Sequence, residues 1–114
     1  MSEESMSSQI LTAFCKPLAS LPGLVGVYHF TREGEGVKVL NIWTVIENTD
    51  VDLEMKIAAA QAEILTTFGT HPLHFMTIPH SILREHPATI PKEATFIRGD
   101  RLEALSKTYT EDPC

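Results

Sequence analysis

The sequence predicts an α+β fold, a two-layer sandwich of ferredoxin-like kind with two helices on one face of an antiparallel sheet. Two observations support this prediction: a strongly patterned helix over Asn48–Gly69, and two apolar strands over Leu24–Thr31 and Val37–Glu47. The predicted order is helix, strand, strand, helix, strand and a short final strand. A βαββαβ plait whose first strand has moved to the end has this permuted αββαβ(β) order.

The first helix is expected over about Ser7 to Ala19, because its apolar residues recur on one side at helical spacing. These residues are Ile10, Leu11, Phe14, Leu18 and Leu21. Pro17 removes a backbone donor inside this segment, so the helix either bends there or ends near Lys16. Residues 1–7 are polar and are expected to be disordered, while residues 8–106 are expected to form a single α+β domain.

The next two elements are predicted to form a β-hairpin. Leu24–Thr31 is rich in β-branched and aromatic residues, and Arg32–Gly36 has the length of a hairpin loop. The second strand, Val37–Glu47, is apolar on both faces, with Leu40, Ile42 and Ile46 on one and Val37, Val39, Trp43 and Val45 on the other. Such a strand is either central in a covered sheet or has its second face pressed against another subunit. Because the two predicted helices can cover only one face of the sheet, we favour the second explanation.

The helix after the hairpin has a complete set of start and stop signals. Thr49 and Asp50 are capping residues, Asp52 and Glu54 add negative charge at the positive end of the helix dipole, and Gly69 follows the last periodic residue. The predicted buried stripe consists of Leu53, Ile57, Ala60, Ile64 and Phe68.

The last third of the chain is less regular. Leu73–Ile78 is predicted to be a short strand between prolines, and Ala94–Arg98 to be a short edge strand. A helical turn is expected over Asp100–Leu105, and residues 107–114 are expected to form a loose tail.

Composition and charge limit the classes of function. The chain has 114 residues, of which 43% are hydrophobic and 21% charged, as in an ordinary globular domain. Its formal charge of −6 disfavours binding to nucleic acid. No apolar run approaches the length of a membrane span and the first residues lack a basic segment before an apolar run, so we expect a cytoplasmic protein without a membrane partner. Cys15 is expected to be a buried small hydrophobe, and Cys114 a frayed thiol.

The runs LNIWTVIENTD and LEMKIAAAQAEILTTFGTHPLHFMTI, which lie within Leu40–Ile78, resemble a group of small stand-alone bacterial α+β proteins. These proteins share a hydrophobic hairpin strand, an acidic turn, a helix of the form xIxxAQxEIL and a closing strand of the form hxFxxI. The resemblance implies a fold without implying an activity.

The outline of the chain also resembles the minimal nucleotidyltransferase core. Two-metal phosphoryl transfer in that family needs a Gly-Ser turn and a pair of carboxylates on one face of a strand. The sequence has neither, since Asp50 and Asp52 stand at a helix start, and nucleotidyl transfer is not expected.

Five histidines are the residues most able to do chemistry, and His71, His74 and His80 flank one short strand. His74 and His80 share a face only while regular alternation lasts, and Pro79 interrupts it. The spacing matches no standard metal motif, and no cofactor is predicted.

Two functions therefore stay open. The first is a non-catalytic, homo-oligomeric module that binds a protein or small ligand and pairs with itself through an outer sheet face containing Trp43, Val39 and Val45. The alternative is a metal-dependent enzyme. Its site would be built from His29, His74 and His80 with acidic help from Glu47 or Asp50.

Overall fold

The computed structural model describes residues 3–19, 21–99 and 102. Within these residues the chain forms three α-helices, a short 3-10 turn and an open, mixed sheet of four strands, which confirms the α+β prediction. In chain order the elements are α1 (Glu3–Leu18), β1 (Leu24–Gly34), β2 (Val37–Ile46), α2 (Val51–Thr67), β3 (Leu73–Pro79), α3 (His80–Glu85), the 3-10 turn (Pro87–Thr89) and β4 (Thr95–Arg98).

The strand order is β3-β2-β1-β4. β1 is antiparallel to both β2 and β4, but β2 and β3 are parallel. The predicted antiparallel sheet is therefore wrong at the β2–β3 pair, and the ferredoxin-like order is not confirmed. β2 and β3 are parallel because of the helix between them. α2 returns the chain to the end of the sheet where β2 began, as a helical crossover between parallel neighbours does.

The hairpin is longer and its turn tighter than predicted. Pairing continues to Gly34 opposite Val37, so most of the segment expected to be a loop is strand. Only Glu35 and Gly36 lie in the turn, with φ of 54° and 80°. Positive φ at both central residues is the geometry of a type I′ turn, whose twist matches that of the strands it joins.

The first helix begins at Glu3, not near Ser7, so the prediction of disorder is wrong for residues 3–7. A tertiary contact explains the extension, because Met6 is half-buried against the core and gives the first turns an anchor. Pro17 lies in the last turn without ending the helix early; α1 ends at Leu18.

The second helix matches its prediction closely. Asp50 is the N-cap, and its Oδ1 accepts a hydrogen bond of 3.1 Å from the Leu53 backbone N–H. The predicted stripe is buried except at Phe68, which is half-buried at the end of the helix and donates its N–H to the Ile64 carbonyl.

The main core lies between α1, α2 and one face of the sheet. Phe14 of α1 packs against Phe75 of β3 with ring centroids 5.2 Å apart. The buried members are Ile10, Leu11, Phe14, Cys15, Leu18, Val27, Leu40, Ile42, Ile46, Leu53, Ile57, Ala60, Ile64 and Leu102.

The same chain covers part of the opposite face of the sheet. Residues 80–94 connect β3 at one edge with β4 at the other, and Leu83 packs there on Val45 and Ile78. The Arg32 guanidinium lies 3.3 Å from a Glu93 carboxylate oxygen, which ties the end of this covering segment to β1.

The predicted apolar interface patch is consequently not exposed. Trp43 is 8% exposed and Val45 is 1% exposed in the single chain, and Val39 is half-buried. The indole of Trp43 packs edge-on against Phe30, with ring centroids 5.3 Å apart. Leu83 of the covering segment packs on Val45 of this patch.

The last strand confirms the predicted edge strand over residues 95–98. Of the helical turn expected over residues 100–105, only Leu102 is described, and it is helical and buried. The predicted tail over residues 107–114 and Cys114 lie outside the described residues. None of the helices in the described ranges has the length and hydropathy to cross a membrane.

Candidate ligand-binding cleft

A cleft opens on the helix-covered face because the hairpin is longer than the helices above it. β1 has 11 residues and α1 has 16. At about 3.3 Å per strand residue and about 1.5 Å per helix residue, the strand extends over roughly 36 Å and the helix over roughly 24 Å. The hairpin end therefore projects beyond its cover, and residues 31–38 are exposed.

This hairpin cleft has a volume of about 930 Å³. Its floor is formed by β1 and β2, and its walls by the first turns of α1 and by the end of α2 with the loop that follows. The lining residues are Met6, Ser7, Ser8, Leu11, His29, Thr31, Glu33, Gly36, Val37, Lys38, Leu40, Thr67, Phe68, Thr70, His71, Pro72 and Ile97.

A row of polar side chains crosses the floor. His29, Thr31 and Glu33 alternate along β1, so they share the face that Val27 presents to the main core. In the register of the hairpin, Glu33 stands opposite Lys38, a pair of opposite charges at the open end of the cleft.

Burial favours the neutral form of the histidine at the inner end of this row. His29 is half-buried, and burial lowers the pKa of its imidazole from the ordinary value of 6.5, because a charged ring would lose hydration there. A neutral imidazole has one donor and one acceptor nitrogen, so His29 offers both to a bound molecule.

The walls combine apolar and polar groups. Leu11, Phe68 and Ile97 supply apolar surface above the floor. On the far wall, His71 Nδ1 lies 3.2 Å from the Pro72 carbonyl oxygen. With the proton on Nδ1 this contact is a hydrogen bond.

The structure separates the three histidines of the predicted metal site. His29 lies in the cleft, whereas His74 is exposed on the opposite face, since its neighbour Phe75 packs against the main core. His80 is the first residue of α3, past the end of β3. Across residues 3–19, 21–99 and 102, no group of three or more His, Cys, Asp or Glu side chains has the geometry to hold a metal ion.

The proposed acidic helpers are also not in the cleft. The Asp50 carboxylate caps α2 through its hydrogen bond to the Leu53 N–H. Glu47 is exposed and follows β2 at the end remote from the hairpin, where its N–H donates to the Gly23 carbonyl. Neither side chain lines the cleft with His29.

Cys15 is unsuited to nucleophilic chemistry. Its side chain is fully buried in the main core, and desolvation raises the pKa of the thiol from 9.0 to about 12. The prediction that it is a buried small hydrophobe is confirmed.

Sequence reasoning identified His29 but missed the other floor residues, Thr31 and Glu33. The sequence predicts a loop at Glu33, and this prediction conceals the alternation of three polar side chains on one face of β1. The signal was present in YHFTREG, where polar residues alternate with Tyr28 and Phe30. The wall residues Phe68 and His71 come from a distant part of the chain, and no local pattern connects them with β1.

Comparisons with known proteins find no relative of this chain. No protein-family model matches the chain, and neither the curated proteins nor the solved structures include a significant match.

Proposed function

We propose that this chain is a small-molecule-binding protein, without catalytic activity, whose site is the hairpin cleft. The observation that supports this proposal best is a cleft of about 930 Å³ with a polar row on its floor and apolar walls. Ligand sites for small organic molecules typically measure about 300–1,000 Å³ and combine apolar lining with a few placed polar groups.

The lining chemistry favours an amphipathic ligand. Leu11 and Phe68 would contact an apolar body, while His29 and Thr31 would each donate and accept hydrogen bonds along one edge. Glu33 only accepts when ionised, so the edge nearest the hairpin turn favours N–H or O–H donors on the ligand. We expect a compact, uncharged or singly cationic organic molecule.

The cleft has no cysteine nucleophile among the described residues that line it. The described cysteine, Cys15, lies in the core and outside the cleft lining. The apolar walls and half-buried His29 suit retention of a ligand by burial of its surface.

A fragment screen observed by amide NMR tests this proposal. Small heteroaromatic amines and alcohols should shift the amide signals of His29, Thr31, Phe68 and His71 together. Replacing Thr31 by Trp places a large ring over the floor, and we expect it to weaken binding of the same fragments at least about tenfold, which corresponds to about 1.4 kcal/mol.

The matched control is His74→Trp, which adds the same ring at an exposed strand position on the opposite face. It should leave fragment affinity unchanged. Fragments that bind Thr31→Trp as well as the parent chain, or whose shifts map away from the cleft, would contradict the proposal.

A further inference from the structure

The hairpin cleft changes in polarity from its inner end to its open end. At the open end Glu33 of β1 and Lys38 of β2 stand opposite each other, and both are exposed. The inner end of the floor has the half-buried His29, and the lining residues Leu11 and Leu40 are buried. A bound molecule therefore meets a charged end and a largely apolar end with one imidazole.

The spacing along the floor limits the length of a ligand that could use both ends. His29 and Glu33 are four residues apart on one face of β1, so their Cα atoms are roughly 13 Å apart at about 3.3 Å per residue. Side chains on one face of a strand stand roughly perpendicular to the sheet, which keeps this separation. Because a hydrogen bond adds about 2.8 Å at each end, a ligand with polar ends roughly 8 Å apart would bridge the two side chains.

Two features favour a positive charge on the ligand at the open end. The last turn of α2, residues 64–67, has no basic residue, and Thr67 and Phe68 bring this negative end of the helix dipole to the cleft wall. The formal charge of −6 adds an attractive field for cations. Lys38 would instead attract a carboxylate, so the experiment needs an anionic probe beside a cationic one.

We propose that the hairpin cleft binds a monocationic amine with a ring-sized apolar body, whose ammonium group pairs with Glu33 and whose opposite end has a neutral hydrogen-bonding group held by His29. This inference rests on the proposed function and narrows it to one class of ligand in one orientation. The apolar body contacts Leu11 and Phe68 of the walls. A neutral imidazole can accept a hydrogen bond from a hydroxyl group at the inner end.

Tyramine and three matched analogues test the ligand class. Tyramine has an ammonium group, a ring and a phenol hydroxyl. Phenethylamine lacks the hydroxyl, 4-ethylphenol lacks the ammonium group, and 3-(4-hydroxyphenyl)propionate has a carboxylate in its place. Amide NMR titrations at pH 7.5 should give the tightest binding for tyramine and the weakest for the carboxylate. Added salt should weaken the binding of the two amines and leave that of 4-ethylphenol unchanged.

Replacement of Glu33 tests the charged end. Glu33→Gln should weaken the binding of tyramine and phenethylamine about threefold, as expected for an exposed ion pair, and leave 4-ethylphenol unaffected. The matched control is Glu35→Gln, which removes the same charge from the same hairpin. Because Glu35 lies in the turn and outside the cleft lining, this variant should leave all four affinities unchanged.

Replacement of His29 tests the inner end. His29→Leu should weaken the binding of tyramine and 4-ethylphenol about fivefold, the effect of one lost hydrogen bond. It should bind phenethylamine at least as tightly as the parent chain does, which also verifies that the variant folds. His74→Leu changes an exposed histidine on the opposite face and should leave the affinities as they are.

The orientation and the ligand class can each be contradicted. Tighter binding of the carboxylate than of tyramine, equal losses in Glu33→Gln and Glu35→Gln, or equal losses of tyramine and phenethylamine in His29→Leu would each overturn this inference. If other fragments bind in the cleft and tyramine does not, this inference fails alone. If no fragment binds there, the proposed function fails with it.

Discussion

At the scale of single residues, burial decides how the titratable groups of the cleft behave. The cleft floor holds His29 in a half-buried position where its neutral form is favoured, while Glu33 stands at the open end. The acceptor nitrogen of the neutral His29 ring is lost when the ring binds a proton.

His29 should also make the fold sensitive to acid. Its pKa in the folded chain is lowered from 6.5 by burial, so below about pH 6.5 the unfolded chain binds a proton more readily than the folded chain. The free energy of unfolding should then fall as pH drops below 6.5. Urea titrations at pH 7.5 and pH 5 measure this change. Between the two pH values, the free energy of unfolding should fall less for His29→Gln than for the parent chain. Equal losses in the two proteins would exclude His29 as a source of the dependence.

At the scale of elements, the backbone of the hairpin turn is strained at one residue, and a single substitution should relieve that strain. Glu35 adopts φ of 54°, a left-handed conformation that side chains other than Gly, Asn and Asp rarely adopt. Because asparagine tolerates this conformation, Glu35→Asn should raise the free energy of unfolding by about 0.5–1 kcal/mol.

The matched substitution is Glu35→Val, whose β-branched side chain should destabilise the same turn. Urea denaturation of both variants measures the difference. Equal stability of the two variants would mean that the turn does not hold this residue in the left-handed region.

At the scale of the whole molecule, the sheet separates two apolar clusters of unequal size. The main core has buried residues from both long helices, whereas among the described residues the buried members of the outer cluster are Val45, Ile78 and Leu83. A covering segment held by few apolar contacts is expected to open before the main core does.

Leu83→Ala should therefore loosen residues 80–94 with a smaller effect on the main core. We expect the substitution to lower the free energy of unfolding by about 2 kcal/mol, which is at the low end for Leu→Ala substitutions. Faster amide hydrogen exchange in residues 80–94 would report the opening. If exchange rates rose equally in α2, the two clusters would be a single cooperative unit.

The elements that sequence reasoning located correctly are those whose signals are local. The second helix has its cap, stripe and stop within one segment, and the short strand Leu73–Pro79 lies between prolines. The covering segment has no regular apolar periodicity, because Pro87 and Pro91 divide it. Its position depends on the contacts that Leu83 and Ile90 make with the sheet. The cleft was equally hidden, since it results from the different lengths of β1 and α1.

The projecting end of the hairpin can accept substitutions without disturbing the packed core. Side chains on the overhang, such as Thr31 and Glu33, are exposed and make no part of the buried core, so their replacement costs little stability. The sequence of the overhang can therefore change while the packed interior stays under the stricter demands of folding.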